Sequence, residues 1–321
     1  GSFAFQPVTQ WIWCSDGAAE ASGAAMGANT YVLFVKDVEV PSGISEIGLR
    51  VSASYHYELY VDGVFAVRGP VHGDPQWVQV DDLMIALPTG EAADARTVQL
   101  AFVVHHAADI HLHYLLPAPA GLIAELRMGE TVVGTDETWC WLPLSMWRQD
   151  VPKRGWALDY VEDYDARLEP EGWSTMVFPP EVTSTWARAL PVPDAELTWG
   201  GYQLRMVPYL VRGFADPVRF VAFSAPGPAP DNAGDISPIA DEEPLVPVVG
   251  WRSHDWDTVN AALPEANAFT FDLGAEVIGF YEIEVEAPAG VVIEVSGAEL
   301  LRGERPWIFR KNTRYSARYV T

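Results

Sequence analysis

Apolar and polar residues alternate along most of the chain, which is the pattern of half-buried β-strands. In the first part of the chain this alternation predicts strands at 31–40, 47–54, 55–63, 97–106, 111–116, 121–128, 131–135 and 138–144. Asp62-Gly63 ends one of them with a dipeptide typical of tight hairpin turns. No stretch of about 12 residues combines a helical apolar repeat with capping residues. Residues 1–145 therefore predict a β-sandwich of the jelly-roll type.

The rest of the chain contains an irregular segment and a second set of strands. Residues 146–200 are rich in Trp, Pro and acidic side chains, and 224–247 has the composition of an exposed loop. The alternation predicts further strands at 202–211, 218–223, 269–274, 278–288 and 290–300. The prediction is an all-β fold of two jelly-roll-like β-sandwiches, 1–145 and 201–321, joined by the irregular aromatic-rich segment. We expect the second sandwich to be incomplete at its C-terminal end.

Composition and charge restrict the partners. The chain has 20 Lys and Arg against 44 Asp and Glu, a formal net charge of −24 at pH 7. This excess of negative charge repels phosphate and disfavours nucleic acid and anionic membranes as partners. The chain contains no run of about 18 apolar residues, so the sequence predicts no membrane span. Hydrophobic residues make up 49% of the chain, which is enough for a packed core rather than a disordered protein.

The two cysteines and the first residues bear on the compartment. Cys14 and Cys140 lie in the Trp-rich, strand-like segments WIWC and WCW. They pair if those strands are neighbours; otherwise they are two buried thiols, the usual state of free cysteine. Neither has the spacing of metal ligands. The first residues lack the basic and apolar regions of a signal peptide, so the sequence assigns no compartment.

Three segments combine turn and loop residues in a characteristic order. They are YHYELYVDGVFAVRGPVHGDPQWVQVDDL at 55–83, YDARLEPEGW at 164–173 followed by TSTWARA at 183–189, and FDLGAEVIGFYEIEVEAPAGVVIEVSGAELL at 271–301. Together they resemble the N-terminal β-sandwich region of bacterial α-L-rhamnosidases of glycoside hydrolase family 78. The chain departs from that pattern at Asp62, where the family usually has Asn, and in the loop 224–247, which has no counterpart.

The resemblance implies a part of a hydrolase rather than a whole one. In that family an (α/α)₆ barrel follows the sandwiches and carries an acid and a base carboxylate about 6.5–9.5 Å apart for inverting hydrolysis. This sequence has no long helical pattern, so we assign no catalytic residue, predict no cofactor and expect the chain alone to be inactive. The missing catalytic domain would follow Thr321. Two alternatives stay open: a stand-alone carbohydrate-binding module and a structural or interaction β-protein.

One loop combines side chains that suit a sugar. Arg68, Asp74 and Trp77 lie within ten residues of one another. A flat indole stacks on a pyranose ring, and charged groups bind its hydroxyls in pairs. We therefore interpret these three residues as a candidate carbohydrate-binding site, with rhamnose-containing glycans as the implied partner. The alternative is a rigid loop in which Arg68 pairs with an aspartate and Trp77 fills the core.

Metal and acid–base sites receive weaker support. Asp62 and Asp82, with Asp81 beside the latter, are weak candidates for calcium at a sandwich edge, although turns and strand ends also favour aspartate. His111 and His113 share a strand face, but no third ligand at matched spacing completes a metal site. Six carboxylates between 159 and 171 suggest acid–base work, yet nothing in the sequence raises the pKa of one of them selectively.

Overall fold

The fold is nearly all β, as the alternation predicts. In the computed structural model 49% of residues are in strands and 7% in helices. The structure describes residues 3–14, 28–73, 76–87, 94–109, 119–155, 158–193, 200–211, 213–224, 246–253, 255–264, 266–302, 305–306, 309–310, 313–314 and 316–321. Two compact units are present: Gly1–Gln149 with Leu168–Pro208, and Asp150–Arg167 with Tyr209–Thr321. The segment expected to be a linker is thus divided between the two units, and most of it belongs to the first.

A seven-stranded sheet forms one layer of the first unit. With strands numbered in chain order, its members are β15 (Leu190–Pro191), β1 (Ile12–Trp13), β8 (Leu122–Met128), β3 (Glu46–Ala53), β6 (Trp77–Ala86) and β16 (Gly201–Leu204) in spatial order, with β9 (Thr131–Gly134) also paired to β8. All neighbours are antiparallel except β6 and β16, which run parallel. The parallel strand comes from the chain beyond residue 200, so the first layer is completed by a distant part of the sequence.

A six-stranded antiparallel sheet forms the other layer. Its order is β14 (Ala187–Arg188), β10 (Cys140–Pro143), β2 (Thr30–Val40), β7 (Arg96–His106), β4 (His56–Val61) and β5 (Val64–Gly69). The hairpin predicted at Asp62-Gly63 joins β4 to β5, and both turn residues have positive φ, 46° and 79°. Glycine reaches this region without strain, and aspartate is one of the few other residues that tolerate it.

The core of the first unit lies between these two sheets. Alternate side chains of β2, such as Val32 and Phe34, pack in one cluster with residues of β3 and β8, such as Leu49 and Ala124. Trp139 and Trp141 are among the largest fully buried side chains. The period-two alternation therefore places one face of each sheet in the core, which is the arrangement of a β-sandwich.

Part of the irregular segment covers the six-stranded sheet. The side-chain nitrogen of Gln99 donates to the carbonyl of Phe178 at 2.7 Å, and the Phe178 amide donates back to the Gln99 side-chain oxygen at 2.6 Å. Phe178 is fully buried. A single 3-10 turn at Trp173–Thr175 and a one-turn α-helix at Pro180–Thr183 belong to this segment. Phe178 of this segment thus packs against the sheet.

The second unit contains several small sheets. They are β11 (Lys153–Gly155) with β12 (Leu158–Tyr160); β13 (Glu162–Asp165), β25 (Ser316–Val320) and β20 (Val292–Ser296); β18 (Val246–Ser253), β17 (Arg219–Ser224) and β19 (Ala268–Asp272); β21 (Leu301–Arg302) with β22 (Arg305–Pro306); and β23 (Phe309–Arg310) with β24 (Thr313–Arg314). A 3-10 turn spans Ala166–Leu168, and an α-helix spans Trp256–Ala262. The Asp255 carboxylate caps that helix by accepting from the Thr258 amide at 2.8 Å. Phe220 and Val259 belong to a small cluster of buried apolar residues in this unit.

Two predicted strands differ from the structure. Residues 278–288 form no strand, and the strand predicted at 202–211 is only β16, which ends at Leu204. Ile278 is 99% exposed and Phe280 81% exposed. A strand needs ladder hydrogen bonds to a neighbour, and the alternation of a segment does not report whether a neighbour is present. Within the described residues, no helix has the length and apolar character to cross a bilayer.

Candidate functional site

The structure places the two described residues of the predicted sugar site on different sheets. Arg68 lies on β5 of the six-stranded sheet, whereas Trp77 begins β6 of the seven-stranded sheet. Asp74 lies outside the described residues. Trp77 is 41% exposed, and its ring lies over the backbone of Gly201 on β16, where an added Cβ would come within 2.8 Å of the indole. The indole therefore keeps part of its surface open to a ligand and does not fill the core.

Arg68 is paired with a glutamate. Its Nη2 lies 2.8 Å from Glu58 Oε1, and both side chains are about one-third exposed. The two residues are directly opposite on β4 and β5, so the hairpin register brings them together. The guanidinium also lies 5.4 Å from the centre of the Phe65 ring, a cation–π geometry. This partner is a carboxylate that belongs to the preceding strand.

Glu58 also orients a tyrosine. The Tyr60 hydroxyl donates to Glu58 Oε2 at 3.1 Å. Burial, and then the charge of Glu58, raise the pKa of Tyr60 to about 12. Tyr60 therefore stays protonated at neutral pH and acts as a hydrogen-bond donor. Glu58 is held between this donor and Arg68, so its position is fixed from both sides.

Two histidines extend this surface. His56 shares a face of β4 with Glu58, because alternate residues of a strand point the same way. The ring centres of His56 and His72 are 4.9 Å apart. The ring centre of the buried Tyr55 lies 4.1 Å from that of His56 and 5.1 Å from that of His72. We call His56, Glu58, Phe65, Arg68 and His72 the β4–β5 surface.

The β4–β5 surface offers imidazole, carboxylate and guanidinium groups beside an aromatic ring. These groups suit hydroxyls presented by a neutral ligand, because donors and acceptors alternate over a short distance. Sequence reasoning found Arg68 but missed His56 and Glu58. The Asp62-Gly63 hairpin predicts that β4 and β5 are neighbours, but a β-bulge between Leu59 and Tyr60 shifts the register by one residue. The sequence therefore carries no signal that Glu58 faces Arg68.

The loop after β5 begins beside a buried ion pair. Asp81 is fully buried; its Oδ1 lies 2.9 Å from Arg205 Nη1, and its Oδ2 accepts a hydrogen bond from the Tyr57 hydroxyl. Gly69, the last residue of β5, leaves no room for a side chain, because a Cβ there would collide with Asp81 Oδ2. Asp81 therefore has a structural role, anchoring the seven-stranded sheet to the end of β5.

The candidate calcium ligands lie apart. Asp82 binds Arg50 Nε at 3.0 Å and Arg127 Nη2 at 2.5 Å in the seven-stranded sheet. Asp62 accepts from the Gln99 amide at 2.8 Å in the six-stranded sheet. Each carboxylate thus already has protein partners. Among the described residues no group of three or more His, Cys, Asp or Glu could hold a metal ion, and His111 and His113 lie outside them.

Part of the acidic segment is held by arginines in the second unit. Arg167 binds Asp165 through Nε at 2.8 Å and Nη2 at 2.6 Å, and this bidentate bond lowers the pKa of Asp165. Asp163 is buried and lies 3.2 Å from Arg318 on the adjacent strand. A lowered pKa suits an ionised structural carboxylate rather than a general acid. Asp163 therefore ties the segment to β25, and Asp165 stabilises the segment's own turn through Arg167.

The cysteines are buried thiols. Cys14 and Cys140 are both buried, and no disulfide bond joins them. Burial raises the pKa of Cys140, although the guanidinium of Arg188 donates to its sulfur at 2.9 Å. A thiol with a raised pKa is a poor nucleophile at neutral pH. Of the two alternatives left by the sequence, the structure has the buried thiols.

His106 should make the first unit less stable in mild acid. Burial lowers the pKa of His106 from its ordinary 6.5 to about 4, and its Nδ1 lies 3.1 Å from the Ser54 hydroxyl. Between pH 6.5 and 4 the unfolded chain therefore binds a proton that the folded chain excludes, so stability falls as pH falls through this window. The expected loss approaches about 3 kcal/mol by pH 4.

Urea unfolding at several pH values between 4 and 7, for the wild type and for His106→Gln, measures this contribution. The variant should show a smaller decrease in unfolding free energy over that window, since its other titrating groups are unchanged. Equal decreases in the two proteins would contradict the assignment to His106.

Comparisons with known proteins identify the fold. The backbone is similar to a family 78 rhamnosidase of Bacillus sp. GL1, with TM-score 0.57 and 24% identity over 68% of this chain and 22% of that one. It is also similar to α-L-rhamnosidases of Dictyoglomus thermophilum (TM-score 0.58, 16% identity, 98% of this chain and 31% of that one) and Aspergillus terreus (TM-score 0.51, 14% identity, 92% and 30%). The sequence matches no protein-family model and no curated protein. The chain thus has the fold of a part, less than a third, of these rhamnosidases.

Proposed function

We propose that this chain is the non-catalytic β-sandwich region of an α-L-rhamnosidase-like glycoside hydrolase. The observation that carries the proposal is the likeness to the Dictyoglomus enzyme, which extends over 98% of this chain but only 31% of that one. The three sequence segments that resemble the family support it independently. The two described α-helices, Pro180–Thr183 and Trp256–Ala262, are too short for the helical barrel that carries the family's chemistry. The region would support a catalytic domain and contact the rhamnoside substrate.

Exposed apolar side chains in the second unit are consistent with an accessory region that packs against a catalytic domain. Ile278, Phe280, Leu210, Val211 and Phe214 are all between 81% and 99% exposed. Large apolar side chains left in water together favour burial against further protein. A catalytic domain that packs on these segments would remove this apolar surface from water.

Two measurements test the proposal. The chain alone should not hydrolyse 4-nitrophenyl α-L-rhamnoside, because no acid and base carboxylates are assigned to it; measurable turnover would overthrow the non-catalytic role. The gene should continue in frame past the codon for Thr321 into a long helical domain. A stop codon at that position would remove the accessory role and leave a stand-alone module.

Carbohydrate binding is a second candidate function, favoured by the half-exposed Trp77 and by the β4–β5 surface. Because these lie on different sheets, we treat them as separate contacts and vary each alone. With L-rhamnose as the titrated ligand, Arg68→Gln should weaken binding about tenfold if Arg68 binds hydroxyls, the effect of losing one charged hydrogen bond. Trp77→Ala should have a similar effect if the indole stacks on the sugar.

Arg96→Gln is the matched control for Arg68→Gln. Arg96 begins β7 in the same sheet, and the substitution removes one positive charge, as Arg68→Gln does. Its affinity for L-rhamnose should equal that of the wild type. If Arg68→Gln and Trp77→Ala bind as well as the wild type and keep its circular dichroism spectrum, neither residue contributes to a rhamnose site.

A further inference from the structure

A small cleft on the first unit brings two cations together. Its volume is about 240 Å³, and its lining includes Lys36, Asp37, Thr138, Ser184 and Arg188. The walls come from β2, the start of β10, and the irregular segment around the helix Pro180–Thr183. All of these elements belong to one compact unit, so the cleft is a feature of that unit alone.

The two cations converge on a single threonine. Lys36 Nζ donates to Thr138 Oγ1 at 2.5 Å, and Arg188 Nη1 donates to the Thr138 carbonyl at 2.7 Å. Arg188 Nη1 also lies 2.9 Å from the Cys140 sulfur. Neither cation forms an ion pair with an acid in the described part of the chain. Two like charges are therefore held within reach of one residue, in a chain whose acids outnumber its bases by 44 to 20.

This arrangement is complementary to a carboxylate. Two neighbouring cations repel each other, and an anion between them removes that repulsion. Toward the described residues Arg188 donates through Nη1 alone, so Nε and Nη2 can donate to a ligand. A guanidinium fork fits the two oxygens of a carboxylate, with Lys36 as an additional point charge.

The remaining lining suits hydroxyl groups. The hydroxyls of Thr183 and Ser184 donate to the carbonyls of Pro180 and Glu181 at 3.4 and 3.1 Å, which leaves their oxygens as acceptors. Among the described residues, the Asp37 carboxylate accepts from Gln99 Nε2 at 2.9 Å through one oxygen. Its negative charge disfavours a dianion such as phosphate but accepts hydrogen bonds from neutral hydroxyls. The volume equals about eight water molecules at about 30 Å³ each, enough for one sugar ring.

We propose that the Lys36–Arg188 cleft binds a single carboxylate-bearing sugar, a uronic acid. Its carboxylate would lie between Lys36 and Arg188, and its ring hydroxyls would contact Asp37 and the hydroxyls of Thr183 and Ser184. This site is distinct from the β4–β5 surface and from Trp77. The inference goes beyond the proposed function and does not depend on it, because it concerns an acidic sugar and a cleft built by this chain alone.

The test is isothermal titration calorimetry of the whole chain with D-galacturonate and D-glucuronate at low salt, since an exposed ion pair is weakened by screening. At least one uronate should bind saturably, and at least tenfold more tightly than D-galactose, which lacks the carboxylate. Arg188→Gln and Lys36→Gln should each weaken uronate binding about tenfold or more. Arg96→Gln, which removes one positive charge from the same sheet away from the cleft, should bind as the wild type does.

Circular dichroism and the thermal midpoint of each variant separate loss of binding from loss of fold. Arg188→Gln also removes a contact with Cys140, so it changes the protein as well as the site. Ser184→Ala is therefore a second probe, which keeps both positive charges and removes one hydroxyl. It should weaken uronate binding by a smaller factor. Absence of saturable uronate binding, or equal binding by the folded Arg188→Gln and Lys36→Gln variants, would overturn the proposal. Inorganic phosphate that binds more tightly than either uronate would overturn its carbohydrate part.

Discussion

Arg205→Met is expected to lower the free energy of unfolding by about 3–5 kcal/mol, the cost of leaving a buried charge without its partner. Asp81 is fully buried, and Arg205 Nη1 at 2.9 Å is its cationic partner. The Tyr57 hydroxyl would remain as a donor, but a single neutral hydrogen bond does not replace an ion pair in a site closed to water. The variant therefore removes the charge of Arg205 from beside a fully buried carboxylate.

Urea denaturation of the wild type and variant measures this cost. Arg127→Met is the matched control, since Arg127 pairs with Asp82, the next residue of the same strand, and both partners are about one-third exposed. Asp82 also keeps Arg50. The control should lose no more than about 1 kcal/mol, the usual value of an exposed pair.

A double variant distinguishes the unpaired charge from a general loss of packing. Asp81→Asn combined with Arg205→Met removes both charges and keeps an acceptor for the Tyr57 hydroxyl. It should be more stable than Arg205→Met alone, because the buried charge is no longer present. A loss below about 1 kcal/mol in Arg205→Met, or no recovery in the double variant, would contradict the role assigned to this pair.

The fold class and several strands were predictable because their signals are local. The segment predicted as a strand at 31–40 is β2, Thr30–Val40, and the one at 97–106 is β7, Arg96–His106. Alternation reports burial on one face, and Asp62-Gly63 reports a turn, without reference to any other part of the chain. Residues 278–288 show the limit of the same signal, since an apolar alternation is present but the segment pairs with no strand among the residues that the structure describes.

The candidate site was less predictable because it depends on which sheet each strand joins. Arg68 and Trp77 are close in sequence, but the chain between them passes from β5 in one sheet to β6 in the other. Closeness in sequence therefore did not place the two residues on one sheet. The Asp81–Arg205 pair joins residues 124 positions apart, and the convergence of Lys36 and Arg188 depends on the irregular segment that folds back over the sheet. Neither contact has a local sequence signal.

Trp139→Ala is expected to have an effect of similar size, a loss of about 3–5 kcal/mol, because it opens a large cavity in the centre of the sandwich. Trp139 has no exposed surface, and its ring centre lies 5.8 Å from that of Phe102 on β7. Its Nε1 donates to the Gly134 carbonyl at 3.1 Å, so the indole also fixes the end of β9. Trp139→Phe removes the hydrogen bond but keeps most of the packing, so it should cost distinctly less.

Trp77→Ala supplies the contrast for this measurement. Its indole is 41% exposed and lies on the backbone of Gly201 rather than in the core cluster, so we expect a loss of only about 1 kcal/mol in urea denaturation. If Trp77→Ala were as destabilising as Trp139→Ala, Trp77 would be a core residue, and its part in the carbohydrate hypothesis would be lost. A small effect leaves a folded variant, so any change in its affinity for L-rhamnose would then reflect contact with the ligand and not damage to the sandwich.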